Sequence, residues 1–155
     1  MTTATNESPD HVTRTMLMRA PLARVWAALT DHATFGTWFR ARLDRPFAVG
    51  ATVTGNITHC GFEHVRFLAE VVAIDPPTRF AFRWHPYAVD PAVDYSTEPK
   101  TLVEFALSEE PGGTRVTVTE SGFAQLPPGR RELAFRMNDE GWSGQLRNLV
   151  AHVEG

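Results

Sequence analysis

The 155-residue chain has one cysteine, one lysine and no hydrophobic run of the roughly 20 residues a membrane helix needs. Each scarcity removes a class of protein. With Cys60 alone there is no internal disulfide, and the cysteines of one chain cannot hold an iron–sulfur cluster. No membrane span is expected, and the polar opening Met1–Asp10 lacks the apolar centre of a secretion signal, so a cytoplasmic location is expected. The 15 basic residues, all but Lys100 arginine, are scattered, and the net charge is −3, which leaves no footprint for nucleic acid. The arginine preference matches the codon bias of a GC-rich bacterial genome. There is no Gly-x-Gly-x-x-Gly dinucleotide fingerprint, no Gly-x-Ser-x-Gly nucleophile elbow, no repeat and no low-complexity tract.

Aromatic residues, in contrast, are plentiful: ten Phe and four Trp make the expected core unusually aromatic. The length suits one domain, expected over residues 11–155 behind a flexible N-terminus, 1–10. His11–Arg19 reads as a first strand. Pro21 suits the first helical position, and Leu22, Val25, Trp26 and Leu29 recur at the three- and four-residue spacing of one helix face. Asp31 can cap a second short helix ending near the apolar pair Trp38 and Phe39.

From Phe47 the period changes to two. Val53–Ile57, a strand from about His64 with Val65, Phe67, Ala69 and Val71 on one face, and Arg79–His85 with Phe80, Phe82 and Trp84 on one face read as antiparallel strands. Cys60-Gly61 and Asp75-Pro76-Pro77 mark turns. Residues 86–100 read as a long ordered loop, followed by strands 101–108 and 114–121 about a Pro111-Gly112-Gly113 turn. Trp142, Leu146, Leu149 and Val153 then mark a helix over 130–153. Gly141 and Gly144 weaken it, which predicts a kink or a close approach to the sheet. The order predicts an α+β fold in which a curved antiparallel sheet wraps around a long C-terminal helix.

That order, with the Ala20-Pro21…Val25-Trp26 helix start, the Trp38-Phe39 pair, the Asp75-Pro76-Pro77-Thr78-Arg79-Phe80 boundary, the Gly113–Phe123 strand and Gly141-Trp142, resembles the helix-grip fold of the SRPBCC (START-like, Bet v-like) superfamily. Within it the chain is similar to the activator of Hsp ATPase homologue group, over roughly Val12–Val153. Similar chains sometimes carry the label vanillate O-demethylase oxidoreductase. The missing dinucleotide fingerprint and cysteine set argue against that chemistry here. The resemblance implies a small hydrophobic or aromatic ligand held between the sheet and the last helix. It leaves two other classes open: an enzyme of polyketide cyclase or hydrolase type, and a chaperone-ATPase regulator or protein-interaction domain.

Trp38, Phe39, Phe67, Phe82, Trp84, Phe105, Phe123 and Trp142 are the expected apolar lining, the alternative being that the same rings simply fill the core. Glu120 continues the inward parity of Val116 and Val118. There it would serve as a general base on a bound molecule, with His59 or His85 assisting; otherwise it is a strand-end acid turned to solvent. His59, Cys60 and His64 match no standard zinc spacing, so neither a metal nor another cofactor is expected. Tyr87, Asp90, Asp94 and Tyr95 belong to a loop that either covers the pocket or decorates the surface. A homodimer is compatible with the sequence, which does nothing to fix it.

Overall fold

The computed structural model describes residues 10–155, so the expected flexible segment, apart from Asp10, lies outside the described residues. Strand β1 (His11–Met18) leads into two short helices, α1 (Leu22–Thr30) and α2 (His32–Phe39). Strands β2 (Ala41–Leu43), β3 (Thr52–Ile57), β4 (Arg66–Asp75), β5 (Arg79–Trp84), β6 (Thr101–Glu110) and β7 (Gly113–Ser121) follow, and helix α3 (Pro128–Glu154) closes the chain. The strands form one antiparallel sheet in the order β1-β7-β6-β5-β4-β3-β2, a meander whose first strand returns to the edge beside β7. This is an α+β helix-grip fold, with the sheet curved around α3. Among the described residues no helix is long and apolar enough to cross a membrane.

Local chemistry accounts for the elements. Pro21 stands one residue earlier than expected, as the extended residue before α1. Asp31 caps α2, its carboxylate accepting from the Thr34 backbone N–H at 2.9 Å. Strand β7 alternates strictly, with Thr114, Val116, Val118 and Glu120 buried. Helix α3 runs unbroken through Gly141 and Gly144. A Cβ at Gly141 would meet nothing within 4 Å, and one at Gly144 only the Arg147 guanidinium at 3.8 Å, so the expectation of a kink or close sheet contact is corrected. Burial along α3 is lopsided: Trp142, Leu146, Leu149 and Val153 are buried in its C-terminal half, but only Ala134 before them. One half of the helix seals the core and the other half does not.

The seal is organised around Glu120, which is 0 % exposed and forms no ion pair with any described residue. A carboxylate taken out of water without compensation is very costly. Here each oxygen accepts two hydrogen bonds. Oε2 receives Trp84 Nε1 at 2.7 Å and Thr101 Oγ1 at 2.6 Å; Oε1 receives Trp142 Nε1 at 2.8 Å and Asn138 Nδ2 at 2.9 Å. Charge-assisted hydrogen bonds of this kind are about twice as strong as neutral ones. They join β5, β6 and β7 to one face of α3.

The substitution Glu120→Gln keeps the shape but turns an N–H₂ toward groups that themselves donate. It is expected to cost about 2–4 kcal/mol of stability, read from the urea midpoint. A cost below about 0.5 kcal/mol would show that the cluster does not hold the helix to the sheet.

Candidate functional site

A cavity of about 1010 Å³ opens along the middle of α3, from Met137 to Asn148, between that flank of the helix and the β3–β5 side of the sheet. That is the upper end of the roughly 300–1,000 Å³ usual for small-molecule sites. Its apolar wall is Phe39, Ile57, Phe67 and Trp84, and its helix side includes Asn138, Gly141, Gly144 and Gln145. Because the two glycines carry no side chain, the backbone itself forms that part of the wall. Trp84 is fixed in place by its hydrogen bond to Glu120 and by stacking on Trp142, ring centroids 5.7 Å apart. Phe39 packs against both Phe67 and Trp84 at 5.8 Å.

The loop after β5 forms one side of the cavity through Tyr87, Asp90, Val93 and Tyr95, so its residues cover the pocket rather than decorate a distant surface. Arg130, in the first turn of α3, fastens this loop at three points. Its guanidinium donates to the Pro86 carbonyl and to Glu98 Oε1 (3.2 Å) and lies 4.7 Å from the centre of the Tyr95 ring. The Arg130–Glu98 pair is well buried, with side chains 13 % and 14 % exposed. Within the loop, the Tyr95 hydroxyl accepts from the Asp90 N–H at 3.1 Å, and Asp94 accepts from Ser96.

Three histidines reach the cavity. His59 Nδ1 accepts from the Arg40 guanidinium at 3.1 Å, which puts the ring proton on Nε2, and the ring stacks on Phe62. His64 Nε2 donates to the Val89 carbonyl at 2.9 Å, tying the β3–β4 connection to the covering loop. Cys60 is exposed and takes no part. The buried Nδ1 of His85 has no hydrogen-bond partner among the described residues. Burial, then the Lys100 charge, holds its pKa below the ordinary 6.5.

Of the residues expected from the sequence, Phe39, His59, Phe67 and Trp84 line the cavity. Trp38, Phe82, Phe105, Phe123 and Trp142 do not; they are buried behind it. Trp38 donates Nε1 to the Ala28 carbonyl at 2.8 Å, joining α2 to α1. Phe82 and Phe105 back the wall from within the sheet, Phe105 against Trp142 at 5.7 Å, and Phe123 packs edge-on against Phe135. Glu120 is neither at solvent nor on the cavity. Its lone pairs are filled by four donors, so it is not placed to take a proton from a bound molecule. Sequence reading did not single out Arg40, Arg66, Asn138, Gln145 or Arg147 on the lining. The only local signal was Gly141 and Gly144, two poor helix formers three residues apart on the helix side of the cavity.

A family model described as Activator of Hsp90 ATPase homolog 1-like protein matches residues 19–154. No curated protein matches the chain. Among solved structures it is similar to protein MLL2253 from Mesorhizobium loti, with TM-score 0.72 and 24 % identity, covering 93 % of this chain and 96 % of that one. It is also similar to DynU16, a protein in the dynemicin biosynthetic locus, with TM-score 0.73 and 26 % identity over 94 % of this chain; the chain spans about half of DynU16, 47 %. CalU16 from Micromonospora echinospora aligns with TM-score 0.64 and 22 % identity, covering 92 % and 75 % of the two chains.

Two outcomes follow from this geometry. Arg130→Ala is expected to raise amide exchange at least about tenfold in residues 86–98 while β6 and β7 keep their protection; unchanged exchange there would show that the loop is held without Arg130. For His85 the folded pKa lies below the unfolded value, so the unfolded chain binds the proton more readily. Its contribution to stability is present above pH 6.5 and is lost as pH falls through the folded pKa. Urea midpoints measured from about pH 7 to 5 are expected to fall less steeply in His85→Asn than in the parent, and parallel slopes would exclude His85 as the source.

Proposed function

The chain belongs to the Activator of Hsp90 ATPase homolog 1-like family, and on that premise we propose that it binds a small hydrophobic or aromatic molecule in the cavity between the sheet and α3. Residues 11–155 act as one domain that encloses it. Phe39, Phe67 and Trp84 contact the apolar body of the ligand, and His59 borders it.

The observation that carries this reading is the open flank of α3 over residues 137–148. A 27-residue helix places glycine at 141 and 144 facing open space, where alanine would favour the helix by about 1 kcal/mol at each site. Neither backbone contact nor a turn requires glycine there, but a ligand pressed against the helix does. Apolar exposure points the same way. Of six exposed large hydrophobic side chains among the described residues, Phe62, Val93 and Met137 border the cavity, which suits entry of an apolar molecule better than docking of a flat protein face. The biosynthetic locus of DynU16 supports a small molecule as the class of ligand.

A second reading, chemistry on the bound molecule, is favoured by one group only. His85 lines the cavity, and its buried Nδ1 has no hydrogen-bond partner among the described residues, which leaves a ring nitrogen for proton transfer with a bound molecule. Turnover of a bound compound, followed by mass spectrometry and lost in His85→Gln, is its signature; turnover unaffected by that variant would remove His85 from the chemistry.

For the binding reading, a thermal-shift panel of aromatic acids, lipids and polyketides is expected to include compounds that raise Tm by several degrees. Gly141→Leu, which puts a side chain into the open space, is expected to fold at least as stably as the parent and to abolish those shifts. No stabilisation by any compound, or full binding in Gly141→Leu, would sink the proposal.

A further inference from the structure

Among the described residues two non-glycine positions have positive φ, Arg40 at 69° and Tyr87 at 46°, and both line the cavity. Arg40 is the C-cap of α2, with ψ 58°, in the left-handed conformation on which helices most often end with glycine. The chain places a long cation there instead. Backbone strain of this kind persists where the surroundings impose it, and it concentrates at ligand clamps.

Three arginines and two carboxylates line the cavity. The three arginines are Arg40, Arg66 and Arg147, none of which forms an ion pair with a described carboxylate, and Arg66 donates to Asn56 Oδ1 at 3.5 Å. One N–H of Arg40 is directed at His59 Nδ1, which leaves four guanidinium N–H groups available. The two acids of the lining are occupied by their own loop. Asp90 accepts from the Ala92 N–H at 2.9 Å, and Asp94 accepts from the Ser96 N–H at 3.0 Å and hydroxyl at 2.6 Å. In a chain of net charge −3, the lining thus carries one more cation than anions, with its guanidinium donors open beside an aromatic wall.

We propose that the ligand is an amphipathic anion: an aromatic or hydrophobic body carrying a carboxylate, sulfonate or phosphate that accepts hydrogen bonds from Arg40, with Arg66 and Arg147 adding positive potential. This rests on the binding reading above and narrows it. The planar guanidinium suits an anionic oxygen pair, and the Phe39, Phe67 and Trp84 rings suit the body.

Two fluorescent probes that share one ring system separate the two levels of the proposal: 1-anilinonaphthalene-8-sulfonate, which is anionic, and N-phenyl-1-naphthylamine, which is neutral. Both are titrated into the full chain and into Arg40→Gly, which relieves the left-handed backbone and is expected to fold as stably as the parent. Arg40→Asn, also tolerant of that conformation, is the second variant. The expected result is tighter binding of the sulfonate, weakened about tenfold by either variant and by high salt, with the neutral probe changed less than about twofold. Equal affinity for the two probes, or sulfonate binding untouched by both variants, overturns the anionic assignment and leaves the cavity reading standing. Binding of neither probe overturns the cavity reading and this inference with it.

Discussion

A carboxylate held in the interior with no cation beside it among the described residues, Glu120, is the point at which sheet and helix are joined. Its desolvation is offset only while all four donors are in place, and they come from two strands and from α3. Two of the donors are indole N–H groups. A hydrogen bond to an indole N–H fixes the rotation of the ring as well as its position. Trp84 is therefore held with Trp142 stacked behind it, and the acid that never touches the cavity determines the orientation of its aromatic wall.

Around that anchor, departures from local preference gather at the cavity. Gly141 and Gly144 weaken α3 where it faces open space, Arg40 and Tyr87 hold backbone conformations better suited to glycine, and His85 keeps a ring nitrogen unpartnered. Elsewhere the same chain follows the rules closely: β7 alternates, Asp31 caps α2, and the C-terminal half of α3 presents a continuous apolar face. Local conflict gathered in one region is what a functional site imposes. The loop after β5 belongs to the same design. It has few buried apolar groups of its own, and Arg130 supplies the fixed geometry that packing does not.

Much of this architecture was legible in the sequence because it depends on short periods. Strands with Val65, Phe67, Ala69 and Val71 on one face, or Val103, Phe105 and Leu107, announce their inner side by alternation alone. The three-residue β2 was not legible, since Ala41–Leu43 is too short to show any period. The inward direction of Glu120 was legible from the parity of β7, but its partners were not. Trp84, Thr101, Asn138 and Trp142 lie 18 to 36 residues away along the chain.

Residue order and periodicity were enough to say which side chains turn inward, where the helices begin and end to within a residue or two, and that the fold closes with a long helix against a curved sheet. Which inward residues face a void and which face each other depended on how the elements pack. Phe67 and Phe82 have the same alternating pattern, yet the first lines the cavity and the second is buried behind it. The reason is physical. Alternation reports the face of one element, whereas a cavity is the mismatch between two faces, and that exists only once α3 has been laid on the sheet.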